Sequence, residues 1–416
     1  MTRRVLVISP FFPPSGLPPS HRARLFVRHL RSYGWEPIVL TVDPRDREEA
    51  QEPALVSLVP PDIQIESVRA FRVALSRRLG FGDLGLRALP ALLARAVRIV
   101  RAQRADVILL IVPPWYALLM TRALHWLTGK PIVVDYVDPW RIEPTGTLKS
   151  RLAARVAAWS ESWCLTGVSG LFAVSQAIVA EVQRRFPAVA NVPSGSAPYG
   201  FDAADLTLAG KPTAGDGTLR RIVYVGALSD SQLPVFTSFL DALAATPLPI
   251  RLELYGTTYA PGARARPRVA HLVEARGLSS QVIERPERVP YAEAMALAAG
   301  ADANLVLGDL TTYYAASKLM PTLAARRPIV AVLHAATEPA ALLRGLNAKG
   351  LVLYGDQPSP TPADAVPSIR AVLSDLVAGR ISPLTIDVMT DLTLRPRTAA
   401  GMTGALADVL TRVVDQ

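Results

Sequence analysis

Two successive series of short Val-, Ile- and Leu-rich runs, each run separated from the next by a longer stretch with helical spacing, constrain this chain most. A continuous apolar run suits a strand covered on both faces, and parallel strands need a crossover that is usually a helix. The first series is Arg4–Ser9, Pro37–Val42, Ile63–Val68, Asp106–Val112, Pro131–Tyr136 and Gly170–Val174. The second is Arg221–Val225, Ile250–Tyr255, Gln281–Ile283, Ala303–Val306, Pro328–Leu333 and Leu351–Tyr354. The expected fold class is therefore α/β, with two Rossmann-like doubly wound domains. A chain of 416 residues, half of them apolar, can bury two such cores.

The domain expectations follow from composition. Residues 1–206 form the first domain and 207–219, centred on Ala-Gly-Lys-Pro-Thr-Ala-Gly-Asp-Gly, a linker. Residues 220–398 form the second domain, and 399–416 an amphipathic helix packing back toward the first. The clearest single helix is Ser20–Tyr33, with Ser20 as N-cap, Leu25, Phe26 and Leu30 on one side and Gly34 as terminator. Ligands bind such folds beyond the carboxyl ends of the strands, so the two domains are expected to face a central cleft that holds the active site.

Several classes are excluded or set aside. Cys164 is the only cysteine, so internal disulfides and cysteine-rich zinc sites are ruled out, and it reads as a small buried apolar residue. His21, His29, His125, His271 and His334 lack metal-ligand spacing, and no metal is expected. Ser194-Gly195-Ser196 is not a nucleophile elbow. The apolar run Val107–Met120 is broken by Pro113-Pro114 and falls short of a membrane span; it reads as a buried strand meeting a helix. Met1-Thr-Arg-Arg leads into a strand rather than a signal peptide, so the expected location is the cytoplasm, with the inner face of the membrane as a further option. The formal charge of +10 sits mostly in the first half. Arg87, Arg95, Arg98, Arg101 and Arg104 recur at near-helical spacing, which fits either a solvated face or a basic face for anionic lipid or an acidic acceptor. No aromatic-interleaved basic motif supports nucleic-acid binding. Trp115, Trp126, Trp159 and Trp163 fall on helical patterns and read as packing residues. The abundance of proline, arginine and Ala-rich helices points to a bacterial source.

The loop Pro10-Phe-Phe-Pro-Pro-Ser-Gly16-Leu-Pro-Pro-Ser20 joins the first strand to a helix start, where backbone N–H groups favour an anion. It is neither the dinucleotide fingerprint nor a P-loop. Val5-Leu-Val-Ile-Ser-Pro-Phe-Phe-Pro-Pro followed by Ser20-His-Arg-Ala-Arg resembles the opening of bacterial family 4 glycosyltransferases. Asp135-Tyr-Val-Asp138-Pro-Trp140 is similar to the D-x-R-D-P-W element of one branch, Trp159-Ser-Glu161 to the helix after it, and Phe172-Ala-Val-Ser175 to the next strand end. Pro198-Tyr-Gly200-Phe-Asp202 is similar to the segment before the interdomain linker. In the second half, Val223-Tyr-Val-Gly226 and Ser317-Lys318-Leu with Leu323-Ala-Ala and Arg327-Pro328 keep the same order, and the pattern continues from Thr337-Glu338 to Asp356.

The resemblance implies a GT-B fold and retaining, metal-independent transfer of a sugar from a nucleotide-diphosphate donor, held by the second domain, to an acceptor held by the first. No cofactor is implied. A UDP-sugar is the first expectation for the donor, with GDP or TDP sugars next, and the acceptor is a glycan, a lipid-linked molecule or a natural product. Breaking the bond to the donor requires cations or N–H dipoles on the leaving diphosphate. Lys318 is the first candidate, the alternative being an exposed helix lysine, with Gly16 and Gly226 admitting close backbone approach. Asp138 either contacts the reacting sugar or acceptor or caps a helix. Glu338 beside Thr337 either binds ribose or favours the helix dipole. Ser317 and Tyr313 complete the donor-side candidates; His21, Trp140 and Arg141 are those of the acceptor side. Three departures stand out. Tyr313 and Pro321 occupy the positions of two family glutamates, Val137 that of the branch arginine, and Ala227–Gln232 lacks the basic pair that usually follows the glycine strand. These departures keep a pseudo-glycosyltransferase, a nucleotide-sugar epimerase and a non-catalytic scaffold in view beside the glycosyltransferase.

Overall fold

The computed structural model describes residues 2–416 except 79–80, 141–147, 209, 211, 213–216, 218, 246, 259–264, 313 and 315. Two compact units emerge, one made of Met1–Asp202 with Arg395–Gln416, the other of Ala203–Leu394.

In the first unit, strands β1 (Arg3–Ile8), β2 (Trp35–Val42), β3 (Gln64–Val68), β4 (Val107–Val112), β5 (Ile132–Tyr136), β6 (Gly170–Ala173) and β7 (Ser194–Ser196) form a sheet in the order β3-β2-β1-β4-β5-β6-β7. Every pairing is parallel, with β1 registered between β2 (Val5 opposite Pro37) and β4 (Val5 opposite Val107). Val5–Ile8 and the whole of β4 are fully buried, as continuous apolar strands sandwiched by helices should be. The crossovers carry helices α1 (Pro18–His29), α2 (Val73–Arg78), α3 (Leu84–Gln103), α4 (Met120–Thr128), α5 (Leu148–Leu165) and α6 (Gln176–Arg185).

In the second unit, β8 (Arg220–Val225), β9 (Ile250–Tyr255), β10 (Val282–Arg285), β11 (Ala303–Leu307), β12 (Ile329–His334) and β13 (Leu351–Tyr354) form a parallel sheet in the order β10-β9-β8-β11-β12-β13. Its helices are α7 (Leu233–Ala244), α8 (Ala270–Glu274), α9 (Tyr291–Gly300), α10 (Leu319–Ala324), α11 (Glu338–Gly345) and α12 (Val366–Val377). The order reverses at β8 and β11, the switch point beside which such sheets bind ligands. Ile222, Phe236, Leu252, Val330 and Ile369 anchor its core.

The last helix, α13 (Ala399–Val414), belongs to the first unit. Thr398 caps it by accepting from the Gly401 N–H at 3.0 Å. Three glycines admit it: a Cβ at Gly170 would stand 2.7 Å from Val413, one at Gly195 2.8 Å from Val409 and one at Gly200 2.8 Å from Ala399. This packing explains β7, a strand that the sequence reading lacks. Its Ser-Gly-Ser has no apolar run, because it is chosen for helix approach rather than for two-sided burial.

Three expectations are corrected. Helix α1 begins at Pro18 with Leu17 as N-cap, not at Ser20, since Pro18 and Pro19 fill first-turn positions that need no N–H donor; Gly34 does end the segment in a left-handed conformation. The arginines of α3 are not one face. Arg87 is buried and donates to the Phe71 and Asp46 carbonyls, and Arg95 pairs with Glu66. Two tryptophans are not packing residues: Trp126 and Trp159 are 82% and 70% exposed, whereas Trp163 has the Arg122 guanidinium 5.1 Å over its ring. Met120 and Leu124 of α4 and Ala157, Cys164 and Leu165 of α5 take the buried sides instead. Cys164 is buried as expected, and burial pushes its thiol up to about 12. No helix among the described residues is long and apolar enough to cross a membrane.

Candidate functional site

The candidate residues of the second unit lie past the carboxyl ends of its central strands. Strand β8 runs into Gly226, whose N–H donates to the Tyr255 carbonyl at 2.7 Å and whose φ of +127° suits glycine. Lys318, at the N-cap of α10, lies across this glycine: a Cβ at 226 would stand 2.4 Å from its Cε and 2.5 Å from its Nζ. Its ammonium donates to the Tyr224 hydroxyl at 2.8 Å and stands 4.1 Å from the centre of that ring. Tyr224 in turn donates to the Ala227 carbonyl at 3.0 Å. Burial, then the positive charge of Arg288, pull the Lys318 pKa down to about 7. Lys318 and Gly226 are thus brought together, and the exposed-lysine alternative does not hold.

The neighbouring strand β9 repeats the arrangement. It runs into Gly256, with φ of +71°, whose Cβ would lie 3.4 Å from the Arg288 Cα and 3.9 Å from the Gly226 Cα. Sequence reading missed Gly256 and Arg288; the signal for the first is a Tyr-Gly step after β9 that parallels Val225-Gly226. His334, at the end of β12, packs edge-to-face on Tyr354 with centroids 5.5 Å apart and fills the space beside Gly355.

The remaining donor-side candidates differ in availability. Ser317 is half-buried next to Lys318. Thr337 is buried and donates its hydroxyl to the His334 carbonyl at 2.8 Å, so that group is already committed. Glu338 opens α11, half-buried in the first turn, where a carboxylate suits the helix dipole. Pro321 lies inside α10, and Tyr313 lies outside the described residues.

In the first unit, Gly16 has no room for a side chain because the Glu52 carboxylate fills it, with Oε1 1.9 Å from an ideal Cβ. The Glu52 N–H donates to the Pro14 carbonyl at 2.6 Å, which zips the loop to residues 51–52. Asp138 is exposed two residues past β5, its carbonyl accepting from the Trp115 indole at 3.4 Å. Trp140 is buried edge-to-face on Tyr116, which makes it a packing residue, and Arg141 lies outside the described residues. His21 accepts from the Arg24 guanidinium at its Nδ1, 3.1 Å away. Sequence reading also missed the fully buried pair beneath this edge. Arg22 forks onto Asp135 at 2.6 and 2.9 Å and donates to the Ala197 carbonyl at 2.9 Å. The rings of Phe26, Phe172 and Tyr199 surround its guanidinium. No cluster of three or more His, Cys, Asp or Glu side chains able to hold a metal occurs among the described residues.

Residues 19–193 match the family model described as a glycosyl transferase 4-like domain. No curated protein matches the chain at a significant level. Among solved structures it is similar to sucrose-phosphate synthase of Thermosynechococcus elongatus, with a TM-score of 0.60 and 14% identity over 99% of this chain and 94% of that one. It is also similar to Anabaena HepE in complex with UDP, with a TM-score of 0.54 and 16% identity over 99% and 98% of the two chains. WaaG, a glycosyltransferase involved in lipopolysaccharide biosynthesis, has a TM-score of 0.57 and 15% identity over 98% of this chain and 99% of that one. At such identities these similarities establish the fold, which is GT-B.

Proposed function

With residues 19–193 matching the glycosyl transferase 4-like model and the whole chain built as GT-B, we propose that the protein transfers a sugar from a nucleotide-diphosphate donor to a hydroxyl-bearing acceptor. The observation that carries this reading is the Lys318 ammonium lying over Gly226, at the switch point of a doubly wound sheet. In the reaction the anomeric carbon–oxygen bond to the β-phosphate breaks and its electron pair passes to that phosphate. The acceptor oxygen bonds to the anomeric carbon, and its proton leaves with the nucleoside diphosphate. Lys318 stabilises the charge that builds on the phosphate, with Ser317 beside it. Glu338 receives a ribose or sugar hydroxyl, and Thr337 positions it through the bond to His334. Transfer proceeds with retention and without a metal.

The first unit takes the acceptor, with Asp138 accepting a hydrogen bond from a sugar or acceptor hydroxyl and His21 offering a further polar contact. Glu52 against Gly16 would repel a diphosphate, so in this reading the Gly16 loop shapes the acceptor side instead. UDP is favoured as the nucleotide because HepE, similar over nearly its full length, has been solved with it. The exposed Trp126 and Trp159, with the exposed Arg122 and Arg155 on the same two helices, support an acceptor presented at an anionic membrane face.

Incubation with UDP, GDP and TDP sugars and candidate acceptors tests the proposal, reading nucleotide release and product mass. Acceptor-dependent release of nucleoside diphosphate with a glycosylated product is expected, and proton NMR of that product reports the anomeric outcome. Conversion of a donor without acceptor would replace transfer with epimerisation. Absence of nucleotide binding by calorimetry would leave only a scaffold.

A further inference from the structure

Lys318 lies over Gly226, while Ala227–Gln232, the stretch after that glycine, contains neither lysine nor arginine. A second cation stands nearby on a different loop. Arg288 is exposed in the turn between β10 and α9, and its Cα lies 3.4 Å from where a Cβ of Gly256 would be. Gly256 is itself 3.9 Å, measured from that same point, from the Gly226 Cα over which Lys318 lies. Two glycines on adjacent strands, both with positive φ, therefore lie beside the Lys318 ammonium and the backbone of Arg288.

We propose that Arg288 is the second cation of the diphosphate site, reaching it from the β10–α9 turn in place of the basic residues absent after Gly226. The inference rests on the nucleotide-sugar reading above and adds to it the residue that completes the charge. Like charges near one another destabilise each other, and the Arg288 charge already opposes protonation of Lys318. A diphosphate between them converts that repulsion into two attractions. The division of labour suits the side chains: Lys318 is a point charge over one phosphate, whereas the planar fork of Arg288 can take two oxygens of the other. Neither glycine places a side chain between them.

Calorimetric titration of wild type, Arg288→Ala and Arg288→Lys with UDP, UDP-glucose and uridine tests it. Arg288→Ala should weaken UDP and UDP-glucose by at least tenfold, as loss of a charge-assisted hydrogen bond does, and leave uridine unchanged. Arg288→Lys should fall between. Removing the repulsion should also move the pH at which UDP-glucose affinity declines upward, a change that a merely structural role would not produce. Equal affinity of wild type and Arg288→Ala for UDP, or equal losses for UDP and uridine, would overturn the assignment of Arg288 alone. Wild type that binds none of the three ligands would overturn the underlying donor reading as well. Circular dichroism of the variant, altered only at an exposed turn, checks that it folds.

Discussion

Raising the pH should weaken donor binding through a single side chain. Lys318 has a pKa of about 7 in the free protein, held down by burial and by Arg288, whereas the bound diphosphate favours its charged form. Below about pH 7 the lysine is already charged and affinity is at its maximum; above it, binding must recruit a proton. Each unit of pH then costs about 1.4 kcal/mol, a factor of ten, until the raised pKa of the complex is reached. Between about pH 7 and pH 9 the affinity for UDP-glucose should fall by roughly 50-fold if that pKa lies well above 9. UDP-glucose is the ligand to use, because its diphosphate diester does not itself titrate in this range. Calorimetry in buffers of different ionisation enthalpy reads the proton directly, and about 0.9 proton should be taken up per donor bound at pH 8. Lys318→Ala should bind weakly and without pH dependence. A wild type whose affinity stays flat from pH 6 to pH 9, with no proton uptake, would refute the placement of Lys318 on the phosphates. The free protein moves the other way. Folded Lys318 holds its proton less tightly than unfolded lysine, so the stability lost on charging it is regained as pH rises from about 7 toward 10.5.

Two further perturbations follow. Gly226→Ala puts a methyl group 2.4 Å from the Lys318 Cε on a backbone with φ of +127°, so the flexible lysine is pushed off Tyr224 and strain of about 1–3 kcal/mol is added. Steady-state kinetics should show kcat/KM down at least tenfold in a protein that still folds, and unchanged kinetics would argue against this glycine as the floor of the site. Asp135→Asn leaves the Arg22 charge buried without its carboxylate, which costs about 3 kcal/mol. Scanning calorimetry should show the transition of the first unit shifted down by several degrees and that of the second unit unmoved.

What the sequence discloses follows burial. Strands such as Val107–Val112 and Ile250–Tyr255 lie within one or two residues of expectation because two-sided burial demands continuous apolar runs. Ser194–Ser196 escaped, since a strand made for the approach of α13 carries small residues instead. The α3 arginines misled for a related reason. Spacing reports which side of a helix a residue occupies, but not that Arg87 finds two carbonyls in the interior to satisfy it. Of the donor-side candidates, Lys318 and Gly226 were readable in motif order and meet in space. Arg288 was not, because a charge supplied by a loop some sixty residues away leaves no local pattern beside Gly226. Trp140 sits in a matching motif and yet turns inward onto Tyr116, so motif membership alone did not tell packing from contact.

The return of α13 to the first unit sets an order of events during synthesis. The second unit is one continuous stretch, Ala203–Leu394, and all of it has been translated before α13 is made. The first unit, although translated first, must wait with Gly170, Gly195 and the apolar surface around them uncovered until Met402, Leu406, Val409 and Val413 arrive. The middle of a nascent chain is thus complete in sequence before its beginning has all its packing partners. A premature stop near residue 395 would spare the half that holds Lys318 and open the half that carries Asp138.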